Sequence, residues 1–113
     1  MYVPMMDGLW TAEFGSSTGV FGGGIVVLQN GKVMGGDAGY YYLGEYTLRG
    51  NAFEATIQIS PFIKGYESVF KTVGQNLKLN LEGSVIDERH AIAQGHPEGM
   101  PYLRLGLKLT KRT

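Results

Sequence analysis

Through four stretches of this chain, apolar and polar residues alternate one by one. That period of two fits strands with one dry face and one wet face. Phe53, Ala55, Ile57 and Ile59 share one side, with Glu54, Thr56 and Gln58 on the other. Leu77, Leu79 and Leu81 alternate with Lys78, Asn80 and Glu82, and Leu103, Leu105, Leu107 and Leu109 with Arg104, Gly106, Lys108 and Thr110. Trp10, Ala12 and Phe14 alternate with Thr11 and Glu13. Half-buried strands of this kind belong to antiparallel sheets. No window sustains an apolar helical stripe of about 12 residues.

Turn chemistry cuts the alternation at regular intervals. Asn30-Gly31 lies between Val26-Val27-Leu28 and Lys32-Val33-Met34, and suits a type I′ hairpin, whose two central residues need positive φ. Gly50-Asn51 suits a II′ turn between Tyr46-Thr47-Leu48 and Phe53-Glu54-Ala55. Asp87-Glu88-Arg89 separates Val85 from a short strand expected over His90–Gln94. About eight strands joined up-and-down predict an all-β fold, a small antiparallel meander or closed barrel, with a two-layer sandwich as the rival. At 113 residues the chain is expected to be one domain, residues 1–113. Its expected core holds Trp10, Phe14, Val27, Phe53, Ile57, Leu79, Leu81, Leu105 and Leu107.

Three clusters interrupt the pattern. Gly22-Gly23-Gly24 falls inside an apolar strand and Gly35-Gly36 at the end of another, where glycine marks a bend or a close approach of backbones. The long connection Ser60–Gly74 holds Pro61, Phe62, Ile63, Tyr66, Val69 and Phe70, too apolar for a solvated loop. It is expected to fold over the barrel mouth, with a short strand over Ser68–Val73 as the alternative. His96-Pro97-Glu98-Gly99-Met100-Pro101 reads as a second, stiffer connection.

Composition removes several function classes. Without cysteine the chain has no disulfides, no thiol nucleophile and no cysteine zinc site. Ten basic and ten acidic residues cancel, which argues against a nucleic-acid footprint. No apolar run approaches the ~20 residues of a membrane-spanning helix, so no membrane partner and a cytoplasmic location are expected. Residues 1–56 carry net −3 and residues 57–113 net +3. This is either ordinary surface variation or two complementary faces of a dimer.

Local motifs for chemistry are weak. Gly22–Gly24 leads into strand residues Ile25-Val26-Val27 and not into the helix that a phosphate loop requires. Asp37, after Gly35-Gly36, reads as an acceptor for backbone N–H groups in a bend. His90 and His96 lie near Asp87, Glu88 and Glu98, but six residues and a Pro-Gly loop separate them and their spacing does not bring them to one point, so neither a metal nor a cofactor is expected, and no nucleophile and base gather into a catalytic set. Tyr40-Tyr41-Tyr42 is the most unusual run. Tyr42, Gly44, Tyr46 and Leu48 share a face that packs the core, lines a cavity or anchors an interface. The residues expected to line a ligand cavity are Trp10, Phe14, Tyr42, Tyr46, Phe53 and Ile57.

Several signatures in order carry a resemblance: Asp7-Gly8-Leu9-Trp10, Gly22-Gly23-Gly24-Ile25, Asn30-Gly31-Lys32-Val33-Met34-Gly35-Gly36-Asp37 and Tyr42-Leu43-Gly44-Glu45-Tyr46. Together they resemble the GrlR-type negative regulators of type III secretion genes in Gram-negative bacteria, to about Ala55. The resemblance implies a small lipocalin-like barrel with an apolar cavity and a plugging loop. It also implies a homodimer that acts without catalysis by sequestering a transcriptional activator. The family's exposed acidic stretch has no counterpart in Leu48-Arg49-Gly50-Asn51. A partner contact is expected on this hairpin, at Glu45, Arg49 and Asn51. The alternative function is carriage or sensing of a small hydrophobic ligand within the barrel.

Overall fold

In the computed structural model, which describes residues 6–113, the chain forms eight strands and no helix among the described residues. They are β1 (Gly8–Ser16), β2 (Phe21–Gln29), β3 (Lys32–Gly36), β4 (Tyr40–Arg49), β5 (Ala52–Pro61), β6 (Leu77–Val85), β7 (His90–Pro97) and β8 (Leu105–Lys111). Residues 1–5 of the expected domain lie outside the described residues. Each strand pairs antiparallel with the next, and β1 pairs with β8, closing an up-and-down barrel. Closure leaves no free strand edge to recruit another chain.

The turns set the registers. Asn30 and Gly31 take φ of 51° and 79°, as a I′ hairpin demands, and Gln29 faces Lys32 across it. At Gly50-Asn51 only Gly50 has positive φ, 62°, the II′ pattern, and Arg49 faces Ala52. Near the seam, Leu9 N donates to Thr113 O at 2.8 Å and Arg112 N to Leu9 O at 2.7 Å. Those residues share one pole with the β2–β3, β4–β5 and β6–β7 turns; the long connections gather at the other.

The inward face follows the alternation. Trp10, Phe53, Leu79, Leu81 and Leu105 are buried, and Phe14, Ile57 and Leu107 pack beside them. Val27 departs from expectation. The I′ turn places Val26 and Leu28 inside and leaves Val27 on the outer face, opposite Met34. Ile25-Val26-Val27-Leu28 is apolar throughout, so composition cannot choose its face. β7 also runs further than expected, to Pro97, which pairs with Leu79 where the strand ends. Outward, Glu54, Gln58, Lys78 and Glu82 are exposed along β5 and β6.

Candidate functional site

Small residues meet large ones on the inner wall, and the mismatch leaves space. Ala12, Ala55, Ala93 and Gly22 face Phe14, Phe53, Leu81 and Leu107 around a cavity of about 310 Å³. An eight-stranded barrel is just wide enough to be filled or to hold one small ligand. Phe14, Tyr42, Tyr46, Phe53 and Ile57 all line the cavity. Trp10 does not. It is only 1% exposed, and its Nε1–H donates to Met6 O at 2.8 Å, so the indole seals the pole beneath the cavity.

The other pole is covered by the connection between β5 and β6, which folds over the mouth and inserts Phe70 (5% exposed). Of the strand alternative, a single bridge remains, Glu67 with Val73. The plug closes on itself at Ser68. Its hydroxyl accepts from Phe70 N at 3.1 Å and Thr72 N at 3.3 Å, and Ser68 N donates to Thr72 O at 2.8 Å. Lys71 takes φ of 62° to make this turn. Two clasps hold the plug on the barrel. The hydroxyls of Ser16 and Thr18 converge on Val69 O at 2.5 and 2.6 Å. The Tyr40 hydroxyl donates toward Tyr66 O (2.9 Å) and Thr72 O (3.2 Å), with the Tyr40 and Tyr66 rings edge to face at 6.3 Å. In the sequence Phe70 stands out only as one apolar residue of the plug and Tyr40 only as one of three tyrosines, and neither is marked as a clasp or stopper.

Asp37 organises the polar corner of the cavity. Its Oδ1 accepts from Gly39 N and Tyr40 N, each at 2.9 Å, which confirms its expected role in the bend. Its Oδ2 accepts from the Tyr42 hydroxyl inside the barrel, a partnership that no periodic pattern reveals. Burial, and then this hydrogen bond and the nearby carboxylate charge, push the Tyr42 phenol far above its ordinary range. Burial also raises Tyr40, followed by the charges of Asp37 and Glu67. Tyr46 is raised by burial and by its 3.0 Å hydrogen bond to Asp7. These phenols therefore serve as neutral donors.

The residues expected to contact a partner lie elsewhere. Glu45 is exposed and paired with Lys32 at 2.6 Å, which lowers its carboxyl, first through the hydrogen bond. Arg49 and Asn51 are exposed at the pole away from the plug. The two histidines sit on the outer face of β7. His90 Nδ1 meets Asp87 at 2.8 Å and His96 Nδ1 meets Pro97 O at 2.9 Å. Among the described residues, no three metal-ligating side chains gather, and no helix is long and apolar enough to cross a membrane. Neither a protein-family model nor a curated protein matches the chain.

A second feature lies outside the barrel. Met34 faces both Val27 and Leu43 across the β2–β3–β4 ladder, and Ile25 and Tyr41 each face Gly36. Ile25, Met34, Tyr41 and Leu43 are 42–54% exposed, so these strands carry an apolar outer strip.

Proposed function

We propose that this chain is a non-catalytic binding protein whose barrel holds one small apolar molecule. The cavity of about 310 Å³ carries the reading, because its wall is mainly aliphatic and aromatic and its mouth is held shut by hydrogen bonds. That volume is at the small end of ligand sites, which run from roughly 300 to 1,000 Å³. A short alkyl chain or an aromatic molecule of two or three rings is the appropriate size. The inward aromatic side chains supply contact area, and their hydroxyls orient the guest.

Titration with the fluorescent probe N-phenylnaphthylamine tests this. Wild-type protein is expected to enhance its emission saturably. Ala93→Leu, which fills the cavity with a folded far-UV spectrum retained, is expected to abolish the enhancement. Equal enhancement by both proteins would remove the cavity as the site.

A second reading is supported by the resemblance to GrlR-type regulators together with the outer strip Ile25, Met34, Tyr41 and Leu43. In it, the barrel's surface covers a transcriptional activator. The activator should then co-purify with wild-type protein and be lost on Leu43→Glu. Retention by that variant would dissociate the strip from the partner. Loss on Arg49→Ala or Asn51→Ala would instead place contact on the second hairpin. The two readings are compatible if the guest binds the partner-bound and free states unequally.

A further inference from the structure

We infer that the cavity selects neutral or cationic amphiphiles, such as short-chain alcohols and amines, and rejects anionic ones such as fatty acids. This rests on the cavity reading above and names the class of its guest.

The argument starts from charge on the wall. Among the described residues that line the cavity, the ionisable side chains other than tyrosine are Asp37 and Glu67, and none is Lys, Arg or His. The plug's own lysines, Lys64 and Lys71, are exposed and do not line the cavity. An anionic headgroup drawn inside would lose hydration and meet the half-buried carboxylate of Asp37, with that of the exposed Glu67 at the rim and no lining cation to offset them.

The acceptor geometry then selects a donor. A carboxylate offers about four lone-pair sites. Asp37 has filled three of them, two on Oδ1 with backbone N–H groups and one on Oδ2 with the Tyr42 hydroxyl. One site on Oδ2 remains for a guest O–H or N–H. The lining carboxylates, Asp37 and Glu67, stand toward the plug with Tyr42 and Tyr66, while the far end is lined by Met6, Leu28 and Val33 and by Tyr46, whose hydroxyl is already bonded to Asp7. A guest therefore enters tail first, with its headgroup beneath the plug. Asp37 is only half-buried, so solvent screening keeps the selectivity moderate.

Competition at neutral pH tests this, with N-phenylnaphthylamine displaced by octanol, octylamine or octanoate. Octanol and octylamine are expected to displace the probe at concentrations about tenfold or more below octanoate. Asp37→Asn keeps the Oδ1 acceptor for the two backbone donors, and is expected to narrow the gap between octylamine and octanoate to about threefold or less. Octanoate displacing as well as octylamine from wild-type protein would overturn the selectivity while leaving the cavity reading intact. That comparison needs no variant, so it decides even if Asp37→Asn fails to fold. Absence of probe binding, with no heat from any of the three compounds by calorimetry, would overturn both readings.

Discussion

The Tyr42 hydroxyl donates to Oδ2 of Asp37, five residues earlier, across the β3–β4 connection and into the barrel. One carboxylate thus ties the turn's backbone to a side chain of the cavity wall. The phenol's raised pKa gives this link a pH signature, because the folded state holds its proton more tightly than the unfolded chain does. The stabilisation is complete below the unfolded tyrosine value, about pH 10, and is lost as pH rises above it. Urea midpoints of wild-type protein should therefore fall more steeply above that pH than those of Tyr42→Phe. Parallel curves would show that the link contributes no proton-coupled stability.

Phe70 is the plug's stopper. Phe70→Ala is expected to cost roughly 3 kcal/mol if the plug unfolds together with the barrel, and less if it opens locally. In either case the probe should associate faster in stopped-flow mixing. An unchanged association rate would mean that guests reach the cavity by another route.

Two glycines separate backbone contact from side-chain contact. A Cβ on Gly35 would lie 2.0 Å from the Ile25 carbonyl oxygen, whereas one on Gly22 would meet the Phe14 ring at 2.7 Å. The ring can rotate away and the ladder cannot. Gly35→Ala should cost at least about 2 kcal/mol and Gly22→Ala about 1 kcal/mol or less, read by urea unfolding. Equal costs would show that the two strands are not held at that spacing.

At the I′ turn, Gly31 has φ of 79° and nothing closer to its would-be Cβ than 3.4 Å. Gly31→Ala should therefore be destabilising through conformation alone, by about 1–2 kcal/mol. A neutral outcome would mean that the turn rearranges without cost.

What the sequence made legible follows from its periodicities. β5, β6 and β8 alternate cleanly, so their inward residues were identifiable, and the paired turns supplied the up-and-down order. Val27 was misplaced because its neighbours are all apolar; the register from Asn30-Gly31 carries the missing information. Phe14, Tyr42, Tyr46, Phe53 and Ile57 were legible as cavity residues because they are large and face inward. Period two separates inside from outside, but it does not tell an open interior from a filled one. That is why Trp10 was grouped with them. The tie between Asp37 and Tyr42 crosses a turn, and Phe70 is inserted by an aperiodic segment, so neither left a repeating trace.

The paired backbones of Leu9 and Thr113 have a practical corollary. They stand at the pole away from Phe70, so a bead or sensor surface coupled through Thr113 would leave the plugged mouth turned to the bulk solution.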